Sequence, residues 1–193
     1  MSQNVKFYDG NTVQTRKEFV DAAPMVGQQS GRWYGPAGST ANVLLMVNDR
    51  LYLQPFVVQR RRIPVAIGVN VAGGGSAGAL LRFGIFADAD GIPTTLVIDA
   101  GTVAATSVSV ASASLSTLLE PGLYWLAIAA QGAPATAPTV RNVASFGNPL
   151  VGMSNAGNLG IPGYHATAVV GGALATLGAI SDTDKVPSIL LKL

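Results

Sequence analysis

Leu80-Leu81-Arg82-Phe83-Gly84-Ile85-Phe86, running into Ala87-Asp88-Ala89-Asp90-Gly91-Ile92-Pro93, and Leu119-Glu120-Pro121-Gly122-Leu123-Tyr124-Trp125-Leu126-Ala127 decide the fold. Each joins a strand pattern to a turn signal. In the first, Leu81, Phe83 and Ile85 face one way, the period-2 signature of a strand. Residues 88–93 read as a loop. In the second, Pro121 and Gly122 hold the two central positions that a type II turn prefers. The strand after it, residues 123–129, is apolar on both faces, so it is central or covered by another subunit. Together the two stretches predict an all-β sandwich.

The pattern extends outward from both. Val43, Leu45 and Val47 alternate with Asn42, Leu44 and Met46, and Asn48-Asp49 is a turn pair before Leu51-Tyr52-Leu53. Val65, Ile67, Val69 and Val71 alternate with Ala66, Gly68 and Asn70 until Gly73-Gly74-Gly75-Ser76 breaks the strand. Downstream, Leu96-Val97-Ile98 reads as a short strand ended by Gly101, and residues 107–115 as a strand of small residues. Residues 140–146 and Ile189, Leu191 and Leu193 complete the set. About eight strands with turn signals roughly every 8–12 residues is the sandwich or jelly-roll signature. The predicted fold class is therefore an all-β, jelly-roll-like antiparallel β-sandwich over residues 32–193, preceded by an extended arm over residues 1–31.

Composition agrees. The chain has 193 residues, 49% hydrophobic and 11% charged, with 23 glycines; about 25% charged is usual. Long solvated helices need more Lys, Glu and Arg than this. A charge-poor surface suits an assembly, because obligate interfaces are depleted of charge at their centres. The net charge of +2 makes no electrostatic case for nucleic acid or membrane binding. There are no cysteines, which excludes disulfides and thiolate chemistry. No signal-peptide core and no apolar run of about 20 residues is found, so the expectation is a soluble protein.

The arm differs from the rest. Lys6, Asp9, Arg16, Lys17, Glu18 and Asp21 put six of the 22 charged residues (12 basic plus 10 acidic) here. Gly27-Gln28-Gln29-Ser30-Gly31 reads as a linker, and residues 17–23 as one or two helical turns. Such an arm buries no core of its own and is disordered or ordered by a partner.

Candidate sites are few. Asp88 and Asp90 invite a calcium reading, but the spacing completes no EF-hand loop, and Asp and Gly are ordinary turn residues. Arg60-Arg61-Arg62 is the one charge run. It suits an acidic partner or, on an edge strand, protection against aggregation; in a strand, neighbouring arginines point to opposite faces. His165, the single histidine, would have to serve any Ser-His-Asp site, yet no Gly-x-Ser-x-Gly elbow accompanies it. The only glutamates, Glu18 and Glu120, make no facing glycosidase pair. No catalytic residue, metal site or cofactor is expected. Among the aromatics, Trp125 reads as core, Trp33 and Tyr34 as contacts at the domain entrance, and Tyr164 as a ligand residue in a long loop. The uncharged stretch over residues 142–181 reads as packing against neighbouring subunits or reaching to a receptor.

Five segments in this order carry a resemblance: Arg32-Trp33-Tyr34-Gly35-Pro36, Leu51-Tyr52-Leu53-Gln54-Pro55-Phe56, Arg82-Phe83-Gly84-Ile85-Phe86-Ala87-Asp88, Leu96-Val97-Ile98-Asp99-Ala100-Gly101 and Leu119 through Ala127. The chain resembles a β-sandwich module of tailed-bacteriophage virion proteins, of the minor tail, tail-fibre or spike kind. The resemblance covers about residues 32–193 and brings no active-site residues with it. It implies a non-enzymatic particle component displayed on the virion, as a homotrimer, with residues 1–31 binding other capsid or tail proteins. It leaves open a fibre module contacting a host-surface glycan, a head decoration that stabilises the shell, or a free glycan-binding module.

Overall fold

The structure is a computed structural model that describes residues 6–9, 12–15, 28–35, 42–132, 134–144, 162–166, 172–175, 177 and 179–193. The reading of residues 17–23 as helical turns, and most of the uncharged stretch over 142–181, lie outside the described residues. Two short strands near the N-terminus, β1 (Lys6–Asp9) and β2 (Thr12–Thr15), pair as a hairpin.

The rest is a sandwich of two antiparallel sheets. Its strands are β3 (Trp33–Tyr34), β4 (Val43–Leu45), β5 (Leu51–Val58), β6 (Ala66–Gly73), β7 (Leu80–Ala89), β8 (Ile92–Ala104), β9 (Ser109–Ser114), β10 (Gly122–Gln131), β11 (Thr139–Ala144), β12 (Gly163–Ala166), β13 (Ile180–Thr183), β14 (Lys185–Pro187) and β15 (Leu190–Lys192). One sheet has the order β13-β12-β5-β10-β7-β8. The other runs β14-β11-β6-β15-β3, with β4 on β11 and β9 on β6. The central pairings are nested. β7 pairs β8, β6 pairs β9, β5 pairs β10 and β4 pairs β11.

The period-2 pattern explains the core. Tyr52, Phe56, Ile67, Val69, Val71, Leu81, Phe83, Ile85, Leu126 and Ile128 project between the sheets and are buried. Each such side chain contributes roughly 1.5–3 kcal/mol through apolar burial. In β4 the inward set is Leu44, with Met46 just beyond the strand, while Val43, Leu45 and Val47 are exposed. Strand β10 is apolar on both faces because it is central, between β5 and β7, and because its own chain covers its outer face. There Trp125, Ala127 and Ala129 pack with Leu51, Leu53, Phe86, Tyr164, Ala166 and Leu174 in a second core.

Three local readings are corrected. Residues 88–93 are not a loop: β7 runs to Ala89, β8 starts at Ile92, and the turn is Asp90-Gly91 alone. Both turn residues have positive φ, 56° and 80°, as a two-residue hairpin of this twist demands. Gly101 does not end a strand; it sits inside the 13-residue β8, at φ 77°, where the register with β7 shifts. Gly122 does not take the positive φ of a type II turn; it is the first residue of β10. The Tyr124 hydroxyl instead donates to the Glu120 carbonyl at 3.1 Å, a tyrosine corner that fixes the entry into β10.

One polar side chain crosses the core. Gln54 is fully buried on β5; its Nε2 donates to the Ile189 carbonyl at 3.1 Å and its Oε1 accepts from the Ile189 N–H at 3.0 Å. The amide thus satisfies the backbone between β14 and β15 on the opposite sheet.

Candidate functional site

Two crossings between the sheets, residues 59–65 and 115–121, lie side by side at one end of the sandwich. Arg62 and Leu119 tie them by exchanging backbone hydrogen bonds at 3.0 and 2.9 Å. The arm enters at this end. Gln28 Nε2 donates to the Val57 carbonyl at 3.0 Å, and its Oε1 accepts from the Gln59 N–H at 3.3 Å. The Arg62 guanidinium donates to the Gln28 carbonyl at 3.0 Å. The Gly31 N–H donates to the Leu193 carbonyl, and the Leu193 N–H donates to Arg32 at 3.0 Å. Residues 28–31, which read as a linker, are therefore docked on the sandwich.

The arginine run sits here, on a crossing rather than on a regular edge strand. Arg60 is exposed. Arg61 pairs with Glu120 at 3.0 Å, both well exposed, a contact worth little to stability. Arg62 is half-buried and grips the arm. Trp33, 37% exposed, lies under the Lys192 ammonium at 5.9 Å, within cation–π range. Tyr34 packs on the core, and its hydroxyl accepts from the Gln29 N–H at 2.5 Å. Ile63, Val65 and Leu118 are exposed around them. This end thus combines a chain entry, basic side chains and apolar surface.

Tyr164 lies elsewhere. It sits in β12, only 6% exposed, with its ring 5.1 Å from that of Trp125. Burial, and then the charges of Asp182 and Asp88, push its hydroxyl above the usual tyrosine pKa. The structure thus corrects its placement in a long exposed loop: Tyr164 lies in a strand and its side chain is packed in the second core. Asp88 accepts from the Trp125 indole N–H at 2.8 Å through Oδ1 and from the Gly91 N–H at 3.2 Å through Oδ2. Both its oxygens serve the hairpin and the core, and Asp90 is the hairpin turn itself. Among the described residues no group of three His, Asp or Glu comes together as a metal site.

His165 pairs with Tyr52 and Ser181 along the sheet. Its Nδ1 is buried without a partner, so no described carboxylate orients the ring through that nitrogen. Burial, and then the Arg50 charge, lower its pKa.

The sequence reading missed one constellation. Asp99 on β8 accepts from Arg82 Nη2 at 2.6 Å and Nε at 2.9 Å, from the Gly101 N–H at 3.1 Å and from the Leu174 N–H at 3.1 Å. Gln131 Nε2 donates to the Gly172 carbonyl at 2.9 Å. These bonds hold residues 172–174 over the second core. Burial alone would raise the Asp99 pKa, but the bonds from Arg82, Gly101 and Leu174 and the Arg82 charge outweigh it and lower it. Only the Asp99-x-Gly101 spacing, an Asx-turn signal, hints at part of this in the sequence. Comparison of the chain with protein-family models and with curated proteins finds no match.

Proposed function

We propose that this chain is a non-enzymatic structural protein of a tailed-phage particle, a jelly roll displayed on the virion surface as a tail, fibre or spike component and rooted through its N-terminal arm. The observation that carries the reading is the root itself. Gln28, Arg62, Gly31 and Arg32 fasten the arm to the end that also bears Arg60, Arg61, Ile63, Val65 and Leu118. A basic, apolar-fringed end next to an emerging arm suits docking on another protein. The nested pairings of β4 through β11 support the jelly-roll assignment, a double Greek key found in viral capsid and lectin domains. Fold analogy alone does not assign a role; the root adds the site.

A second reading, decoration of the head shell, is favoured by where the aromatics sit. Trp125 and Tyr164 are buried, and Trp33 stands beside the root. None of them offers a sugar-stacking platform away from the anchored end.

The test is a chain lacking residues 1–27, which keeps the docked Gln28. It should melt cooperatively near the full-length midpoint and lose particle binding. Mass spectrometry of separated heads and tails then decides between the two readings. Undiminished binding by the truncated chain, or absence of the protein from both fractions, would overturn the proposal.

A further inference from the structure

The sheet edges are not equally guarded. Along β8 the register with β7 shifts at three places, and the strand carries Pro93 and Asp99. Strand β13 carries Asp182, followed by Asp184 and Lys185. Strands β3 and β4 have two and three residues. Bulges, prolines, charges and brevity are the devices that keep edge strands from pairing with other chains.

Strand β9 has none of them. Ser109-Val110-Ala111-Ser112-Ala113-Ser114 pairs with β6 in unbroken register, from Val71 opposite Ser109 to Ala66 opposite Ser114. It pairs with no other strand among the described residues. No charge occurs between Asp99 and Glu120. Val108 and Val110, 70% and 59% exposed, are the two most exposed large hydrophobics, and Ser112 and Ser114 are exposed too. The Leu115 N–H donates across to the Val65 carbonyl on the β6 side. Strand alternation therefore turns residues 109, 111 and 113 to β6, and the N–H and C=O of Val110, Ser112 and Ser114 to the open edge.

We infer that β9 is an assembly edge at which a second copy of this chain adds its own β9, antiparallel about a twofold axis. A foreign strand is bound at an edge through main-chain bonds but selected by side-chain pockets. Val110, the alanines and the serines of β9 are too small to form pockets. A second copy needs no selection: the edge has no charge to repel its image, and its small side chains let two strands lie flat. The register that uses every open residue sets Ser112 against Ser112 on the axis and Val110 against Ser114. The inference is independent of where the chain sits in a particle and of the arm.

The experiment uses the full chain. Sedimentation equilibrium should give a dimer. Ser112→Pro removes one edge N–H without touching the β6 ladder and should give a monomer with a near-native thermal midpoint. Val110→Lys, which sets a like charge near the axis, should do the same and stands in if the proline variant does not fold. The native chain has no cysteine. A short bis-maleimide should therefore join Ser112→Cys into a covalent dimer and leave Thr95→Cys, exposed on β8, uncoupled. A native monomer, a trimer as the resemblance implies, or a dimer that survives both edge variants would overturn the inference.

Discussion

Tyr164 shows how one side chain changes meaning when its neighbour is known. Glycines and asparagines precede it in the sequence, and its ring partner Trp125 belongs to a strand far away along the chain. Nothing local signals that the two rings meet, so the residue reads as exposed. Buried, it is a packing residue, and Tyr164→Ala should cost about 3 kcal/mol, as for other large aromatics truncated in a core. Urea denaturation followed by tryptophan fluorescence would read that loss. An unchanged midpoint together with lost cell adsorption would return Tyr164 to the receptor. Gln54 is a contrasting case, because a lone amide within the apolar run Leu51–Val58 does announce a buried partner, though not which one.

Among the elements, the strands were legible because alternation reports one buried face directly. Ile67, Val69 and Val71 read correctly for that reason, whereas Val65, in the same alternating set, precedes β6 and is exposed. Turns were harder. Asp88, Asp90, Gly91 and Pro93 are all turn-formers, yet only Asp90 and Gly91 turn; Asp88 instead serves the Trp125 indole, and Pro93 lies in β8. Likewise, Pro121-Gly122 marks a corner whose geometry comes from Tyr124, two residues on. Tyr124→Phe keeps the ring and removes the hydroxyl bond to Glu120. It should lower stability by about 1 kcal/mol. A denaturation midpoint equal to that of the native chain would mean that the corner contributes nothing.

The molecule as a whole carries a built-in acid limit. Asp99 binds Arg82 on the neighbouring strand and the Leu174 N–H in the covering segment, so its carboxylate holds sheet and cover together. Its pKa is lowered in the fold from the ordinary 3.8. The unfolded chain therefore takes up the proton first, and the stabilisation, complete above that value, is lost as pH falls through the lower folded one. His165, also lowered, adds an earlier loss of the same sign as pH falls below its ordinary 6.5. Asp99→Asn should cost on the order of 2 kcal/mol at neutral pH and flatten the stability curve below pH 3.8, leaving the decline from 6.5 in place. Urea midpoints taken across the acid range would show it; a variant with the native acid profile would remove Asp99 from this role.

The nested pairings also prescribe an order of assembly. Of the four nested pairs, only β7 and β8 are joined by a two-residue turn, so their hairpin closes at little entropic cost. Each further layer, β6 with β9, then β5 with β10, then β4 with β11, brings together segments more distant along the chain. If the inner layer is in place, the next pair meets across a gap already shortened; if it is not, the full loop must close at once. Contacts of this kind make folding slow. On a ribosome, Val43 waits for Arg141 to emerge before its strand has a partner, so one of the earliest-made strands of the sandwich is among the last to settle.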